Sequence, residues 1–263
     1  MGKSLTSDLL GTQNETLRSL QERGWDTEDY KAIGTNTDLA DELTQVMLRF
    51  RLFTPPKAQI QRLLGINEAV WKDTAITPEA ISAIGDPPDC PPWDENGLFC
   101  VCLFSETGDA LKTFARNWDA CVHVHGQDGT SKLDGLLLTP EGVRQRVCAI
   151  TRPIGLRWQV AELGRQFKTQ SVANVRPQLD KAPKMGMGQE FPLLAAMHPK
   201  WAVSMNGDTV PFVDAPDLEV ALGAVGEFSN APYLGFSRDR RQVYLHARHI
   251  GYPNPYFGPG SLR

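Results

Sequence analysis

Four of the five histidines fall into two close pairs, His123 and His125 in Cys121-Val-His-Val-His125, and His246 and His249 in Val243-Tyr-Leu-His-Ala-Arg-His249. Imidazole binds transition metals and moves protons near neutral pH, so these pairs are where the sequence concentrates candidates for chemistry. Read as a strand, residues 118–125 place Cys121, His123 and His125 on one face and Val122 and Val124 on the other. Two imidazoles on one face can chelate a single divalent ion. His246 and His249 are three apart and face opposite ways on a strand, so at most one of them joins the first pair. The best constellation is His123, His125 and His249 with an open coordination position, as a metal-dependent hydrolase would need. The competing reading makes these histidines surface or hydrogen-bonded framework groups, and His198, ahead of Pro199, a local hydrogen-bonding group. A divalent metal at this site is the one cofactor the sequence admits, and otherwise none is expected.

A second constellation is electrostatic. Residues 142–188 hold nine basic and two acidic residues, a local charge of +7 inside a chain whose net charge is −4. Arg144, Arg146, Arg152, Arg157, Arg165 and Lys168, with Trp158 interleaved, could grip an anionic partner, the cations on phosphates and the ring against a base. Arg238-Asp-Arg-Arg241 adds a basic turn. The alternative is that the block neutralises the acidic N-terminal half, within the molecule or across a homo-oligomer. Other chemistry finds no support: Gly129-Thr-Ser-Lys132 lacks the S-x-x-K spacing, and Met185-Gly-Met-Gly188 lacks the phosphate-loop pattern.

The elements that must carry these residues divide into two styles. With 41% apolar and 22% charged residues, neither disorder nor a fibre is indicated. No apolar run is long enough to span a bilayer, and Met1–Asp8 has no signal core, so a cytoplasmic protein without membrane contact is expected. Residues 1–85 read as helical: Asn14, Thr27 and Thr37 are candidate caps, a helix around 57–64 follows Pro55-Pro56, and Pro78 suits a first helical position. Residues 86–97, with four prolines and four acids, read as a linker. Residues 98–263 read as a mixed domain. Strands are expected at 98–104, 118–125, 156–163, 171–175, 210–213 and 242–249, and helices at 106–116, from Thr139 to Ile150, and in two pieces across 191–205. Residues 182–188 read as a loop and 252–263 as an irregular tail. The fold class is α+β, a helical N-terminal part followed by a mixed antiparallel-sheet and helix domain.

The stretches Leu194–Phe212, Ala231-Pro-Tyr-Leu-Gly-Phe236, Arg241–Arg248 and Tyr256-Phe-Gly-Pro-Gly-Ser-Leu-Arg263 together resemble the C-terminal region of a family of uncharacterised conserved proteins from uncultivated bacteria. The resemblance implies that His198 and Trp201 belong to a shared framework. It carries no activity, cofactor or catalytic residue with it, and His249 has no counterpart in it.

Taken together, the sequence favours a binding or interaction protein over an enzyme. Its expected partner is nucleic acid or an acidic protein surface met by residues 142–188, with the metal-dependent hydrolase and the structural homo-oligomer as alternatives.

Overall fold

A computed structural model describes residues 22, 26–38, 52–87, 97–104, 110–146, 152–181, 183–221 and 227–262. The chain falls into two compact units, Met1–Arg49 and Phe50–Arg263. In the first, α1 (Thr27–Thr35) begins at Asp26, whose carboxylate accepts from the backbone N–H of Glu28 and Asp29 while Asp29 accepts from the N–H of Asp26. This reciprocal cap uses a carboxylate rather than the Thr27 hydroxyl, and its charge also suits the positive end of the helix. The helices expected at 14–23 and 38–50 lie almost wholly outside the described residues, as do residues 88–96 of the expected linker.

In the second unit, α2 (Pro56–Ile66) starts on proline and runs into one wide turn at Asn67–Trp71. Next, α3 (Pro78–Ala83) is capped by Thr77, whose hydroxyl accepts from Ala80 N at 3.1 Å. Leu63, Ile66, Ile76 and Ile81 from this stretch join the main core. Their burial places residues 56–83 in the same unit as the sheets, so the units divide at 49/50, ahead of the boundary expected at 85/86. Among the described residues no helix is long and apolar enough to cross a membrane.

The fold is α+β, with two sheets. The first is antiparallel and four-stranded, built from β1 (Gly97–Phe104), β4 (Gly155–Glu162), β5 (Met185–Gly186) and β11 (Ser261–Leu262), in the order β1-β4-β11-β5. The second is mixed: β2 (Thr130–Lys132), β3 (Val143–Gln145), β6 (Phe212–Asp214), β7 (Leu218–Val220), β8 (Asn230–Ser237), β9 (Gln242–His249) and β10 (Phe257–Pro259). Its axis is the β8–β9 hairpin, paired from Asn230↔His249 to Ser237↔Gln242. On its other edge β8 meets β6 and β7. Between the strands lie α4 (Ala110–His125), α5 (Val172–Leu179), α6 (Phe191–Met197) and α7 (Pro199–Ala202). Every residue of α6 is buried, and α6 packs on α4 and β1.

Five expectations are corrected. Residues 118–125 are not a strand but the second half of α4: Phe114, Asn117, Trp118 and Cys121 are buried at helical spacing, and that stripe overrides the Val/His alternation. Residues 143–145 form β3 rather than a helix. Gly142 and Val143 both donate to Thr139 O at 2.9 Å, closing a turn that hands buried Val143 to β7. Residues 171–175 open α5, because Ser171 caps it through Asn174 N and the buried Val172, Val175 and Leu179 share one helical face. The irregular tail in fact supplies β10 and β11, and the expected loop supplies β5.

Candidate functional site

The helical course of α4 removes the chelate. Residues two apart on a helix point about 200° apart, so His123 and His125 diverge. His123 is exposed, whereas His125 is half-buried with Nε2 at 3.2 Å from Ala195 O. Burial holds the His125 pKa below its ordinary value; the Ala195 carbonyl pulls the other way and the Arg62 charge pushes further down. A neutral ring donating from Nε2 ties α4 to α6, a framework role. His249 accepts from Gly251 N at 3.1 Å and lies against Tyr252 at 4.8 Å. It is also remote: Thr130 pairs with Val243, and His249 lies six residues further along β9, about 20 Å. Among the described residues no three His, Cys, Asp or Glu side chains are grouped to hold a metal. His198 is buried and accepts from Thr54 N at 3.0 Å, so its bond reaches across the fold to the segment before α2 rather than acting locally.

The basic segment splits in two. Arg146 donates to both oxygens of Asp180, at 3.0 and 2.6 Å, and to Asp217 at 3.0 Å. Its hydrogen bonds, and with them its charge, hold the Asp180 carboxyl below the usual range. Arg152 bridges Asp217 at 2.6 Å and Glu190 at 3.1 Å, and also donates to the Gly186 carbonyl. Arg176, from α5, binds Glu219 at 3.1 Å and Pro216 O at 2.8 Å. Arg144 also takes Glu219, at 2.8 Å, and lies 4.1 Å over the Phe228 ring. These carboxylates come from residues 180–219, not from the acidic N-terminal half. Trp158 is buried and donates to Gly85 O at 3.0 Å, so its ring is no stacking platform. Arg157 and Arg165 stay exposed, and Lys168 is half-buried beside Asp208, its ammonium 3.9 Å from the carboxylate.

A feature missed at the sequence level is the outward face of the second sheet. Alternation along β9 turns Val243, Leu245 and Ala247 to the core, and Tyr244, His246 and Arg248 to the other side. Phe212 and Asp214 of β6, Tyr233 of β8 and Phe257 of β10 join that side by register. The rings meet edge-on: Tyr233 to Phe257 at 4.7 Å, Phe212 to Phe257 at 5.1 Å and Tyr233 to Tyr244 at 5.9 Å. Gly235 permits this, since a Cβ there would fall 2.4 Å from the Tyr244 ring. Arg248 grips buried Asp214 at 2.7 and 2.6 Å and covers Phe257 at 4.5 Å. Burial pushes the Asp214 carboxyl up while Arg248 draws it down. Phe212, Tyr233, Tyr244 and His246 remain only partly buried, where the open face of an antiparallel sheet ordinarily carries polar residues. The Tyr-x-His-x-Arg alternation was a readable signal for this face; Pro232 hid its partner strand.

A turn carrying exposed Arg165 and half-buried Lys168 borders the face. Gly164, at φ +79°, lies so close to Gly258 that a Cβ would stand 2.3 Å from the Gly258 carbonyl, and Thr169 N donates to Phe257 O at 3.2 Å. The turn carrying Arg165 and Lys168 is thereby stitched to β10. It is held from below by Glu162, which accepts from Gly164 N at 3.1 Å and Gln166 N at 2.9 Å. Burial pushes the Glu162 carboxyl up to about 7, against the pull of those bonds.

No protein-family model matches the chain, and neither the curated proteins nor the solved structures include one similar to it.

Proposed function

We propose that the protein binds an anionic, ring-bearing polymer, single-stranded nucleic acid, along the aromatic face of the second sheet. The observation that carries this reading is the stitching of the Arg165–Lys168 turn to β10, which brings a basic turn to the edge of the half-open aromatic face. Bases stacked on aromatic side chains contribute about 1–3 kcal/mol each and tolerate any sequence, while cations track the phosphates. Arg146, Arg152 and Arg176 serve the framework in this reading, so the contact surface of the basic segment narrows to its turn at 164–169. The metal-dependent alternative has lost its geometry with the helical placement of His123 and His125.

The test is fluorescence anisotropy of a labelled single-stranded oligonucleotide titrated with the full chain at several salt concentrations. Affinity should fall as salt rises, with a log–log slope near −0.7 for each phosphate contacted. Replacing Arg165 and Lys168 together by alanine should flatten that slope by about one to two contacts. Absence of binding at about 50 mM salt, where the electrostatic contribution is large, overturns the reading.

A further inference from the structure

At the edge of the second sheet lies a pocket of about 340 Å³ lined by Met205, Asn206, Asp208, Arg238, Phe212 of the aromatic face and Phe236 of the core-facing register. Small-molecule sites span roughly 300–1,000 Å³ and pair apolar walls with a few placed polar groups, and this lining has both. One wall is a self-supporting turn: Asn206 Oδ1 accepts from Asp208 N at 2.9 Å and Val210 N at 3.0 Å, and its Nδ2 donates to Thr209 at 2.8 Å. Gly207, at φ +78°, lets this turn pack closely, because a Cβ there would meet Tyr256 at 2.8 Å and the Phe212 ring at 3.1 Å. The facing wall ends in the β8–β9 turn, which carries Arg238, Arg240 and Arg241.

That turn is the basic motif of the sequence that the surface at 164–169 does not absorb. All three of its arginines are exposed, and among the described residues none has a carboxylate partner, in contrast to Arg144, Arg146, Arg152 and Arg176. Arg238 belongs to the pocket lining itself. A guanidinium at the mouth selects an anion with several acceptor oxygens, phosphate above all. The rings of Phe212 and Phe236 select a flat aromatic group. Asp208, whose side chain is 86% exposed and stands 3.9 Å from the Lys168 ammonium, keeps further acceptor capacity for ring N–H groups.

We infer that this pocket binds one nucleotide unit, its base against Phe212 and Phe236 and its phosphate on Arg238. The inference deepens the proposed function and rests on it for the polymer, but the pocket is read from its own lining and turn. The same ligand chemistry has two sources, a free nucleotide and a nucleotide within a strand.

The experiment titrates the full chain with GMP and AMP carrying a ribose-linked fluorophore, for the native sequence, Arg238→Gln and Arg144→Gln. A saturable signal is expected, weakened about tenfold or more by Arg238→Gln, the loss expected when a charge-assisted contact is removed. Arg144→Gln, remote from the pocket, should leave it unchanged, and matching thermal midpoints establish that both variants fold. Displacement of the probe by an unlabelled single-stranded oligonucleotide assigns the unit to a strand; displacement by free nucleotide alone assigns it to the monomer, and either outcome supports the pocket. No saturation up to about 1 mM, or equal affinity in Arg238→Gln, overturns it. Oligonucleotide binding that persists without mononucleotide binding rejects the pocket and spares the face, and the reverse result spares the pocket alone.

Discussion

Two regions of the protein use the same residue type to opposite ends. Around Asp217 and Glu190, which are buried, Arg146 and Arg152 are enclosed and bonded to carboxylates on several sides. At the 164–169 and 238–241 turns, Arg165, Arg238, Arg240 and Arg241 are exposed, and Arg238 shares a pocket with Phe212 and Phe236. A run of positive charge therefore splits by what the fold brings to it: where Asp180, Glu190, Asp217 and Glu219 meet it the guanidinium becomes framework, and where turns carry it the residue stays exposed. Buried ion pairs recover little net free energy, because desolvation offsets most of the attraction, but removing one partner strands the other. Exposed cations cost the fold almost nothing either way.

The largest way to test the contrast is Arg152→Ala. It leaves Asp217 and Glu190 buried with a donor missing and should cost about 3–5 kcal/mol of stability, read by urea denaturation. A loss comparable to that of an exposed arginine would erase the distinction between the regions.

Glu162 gives a somewhat smaller effect with a definite pH signature. Its folded pKa, about 7, lies above the unfolded value, so the native state binds more protons between pH 4.5 and 7. Stability from this group is therefore present below pH 4.5 and lost as pH rises through 7. Glu162→Gln keeps an acceptor for the turn without the buried charge. It should match the native protein at pH 4 and exceed it at pH 8 by up to about 3 kcal/mol. A variant less stable at pH 8 would mean that the bonds to Gly164 and Gln166 outweigh burial.

The smallest effect belongs to the outward region. Arg165→Ala with Lys168→Ala should shift stability by no more than about 0.5 kcal/mol, and a larger shift would show that this turn, too, is framework.

Much of the chain was legible as pattern. The strands at 97–104, 155–162 and 242–249 and the helical break at Pro199 follow from apolar runs and proline, which act locally. The errors share a cause. Val122-His-Val-His125 alternates with period two over a few residues, yet the stripe that decides α4 runs from Phe114 to Cys121 and extends past that window. Val143 and Ser171 take their states from a partner strand and a cap bond. The candidate site was least legible, since Phe212, Tyr233, Tyr244 and Phe257 come from four strands whose register is set by long-range pairing. The division of the arginines was equally hidden, because Asp217 and Glu190 lie far along the chain from Arg146 and Arg152.

The place of β11 between β4 and β5 bears on how the molecule assembles during synthesis. The strand at 155–162 follows its partner β1 in the chain, but on its other edge Ala161 and Glu162 wait for residues 261–262, about a hundred residues later. Through that interval its unmet N–H and C=O groups offer a template for a neighbouring nascent chain. Ribosome spacing and chaperone cover then bear on yield, and the first sheet closes only as synthesis of this region ends.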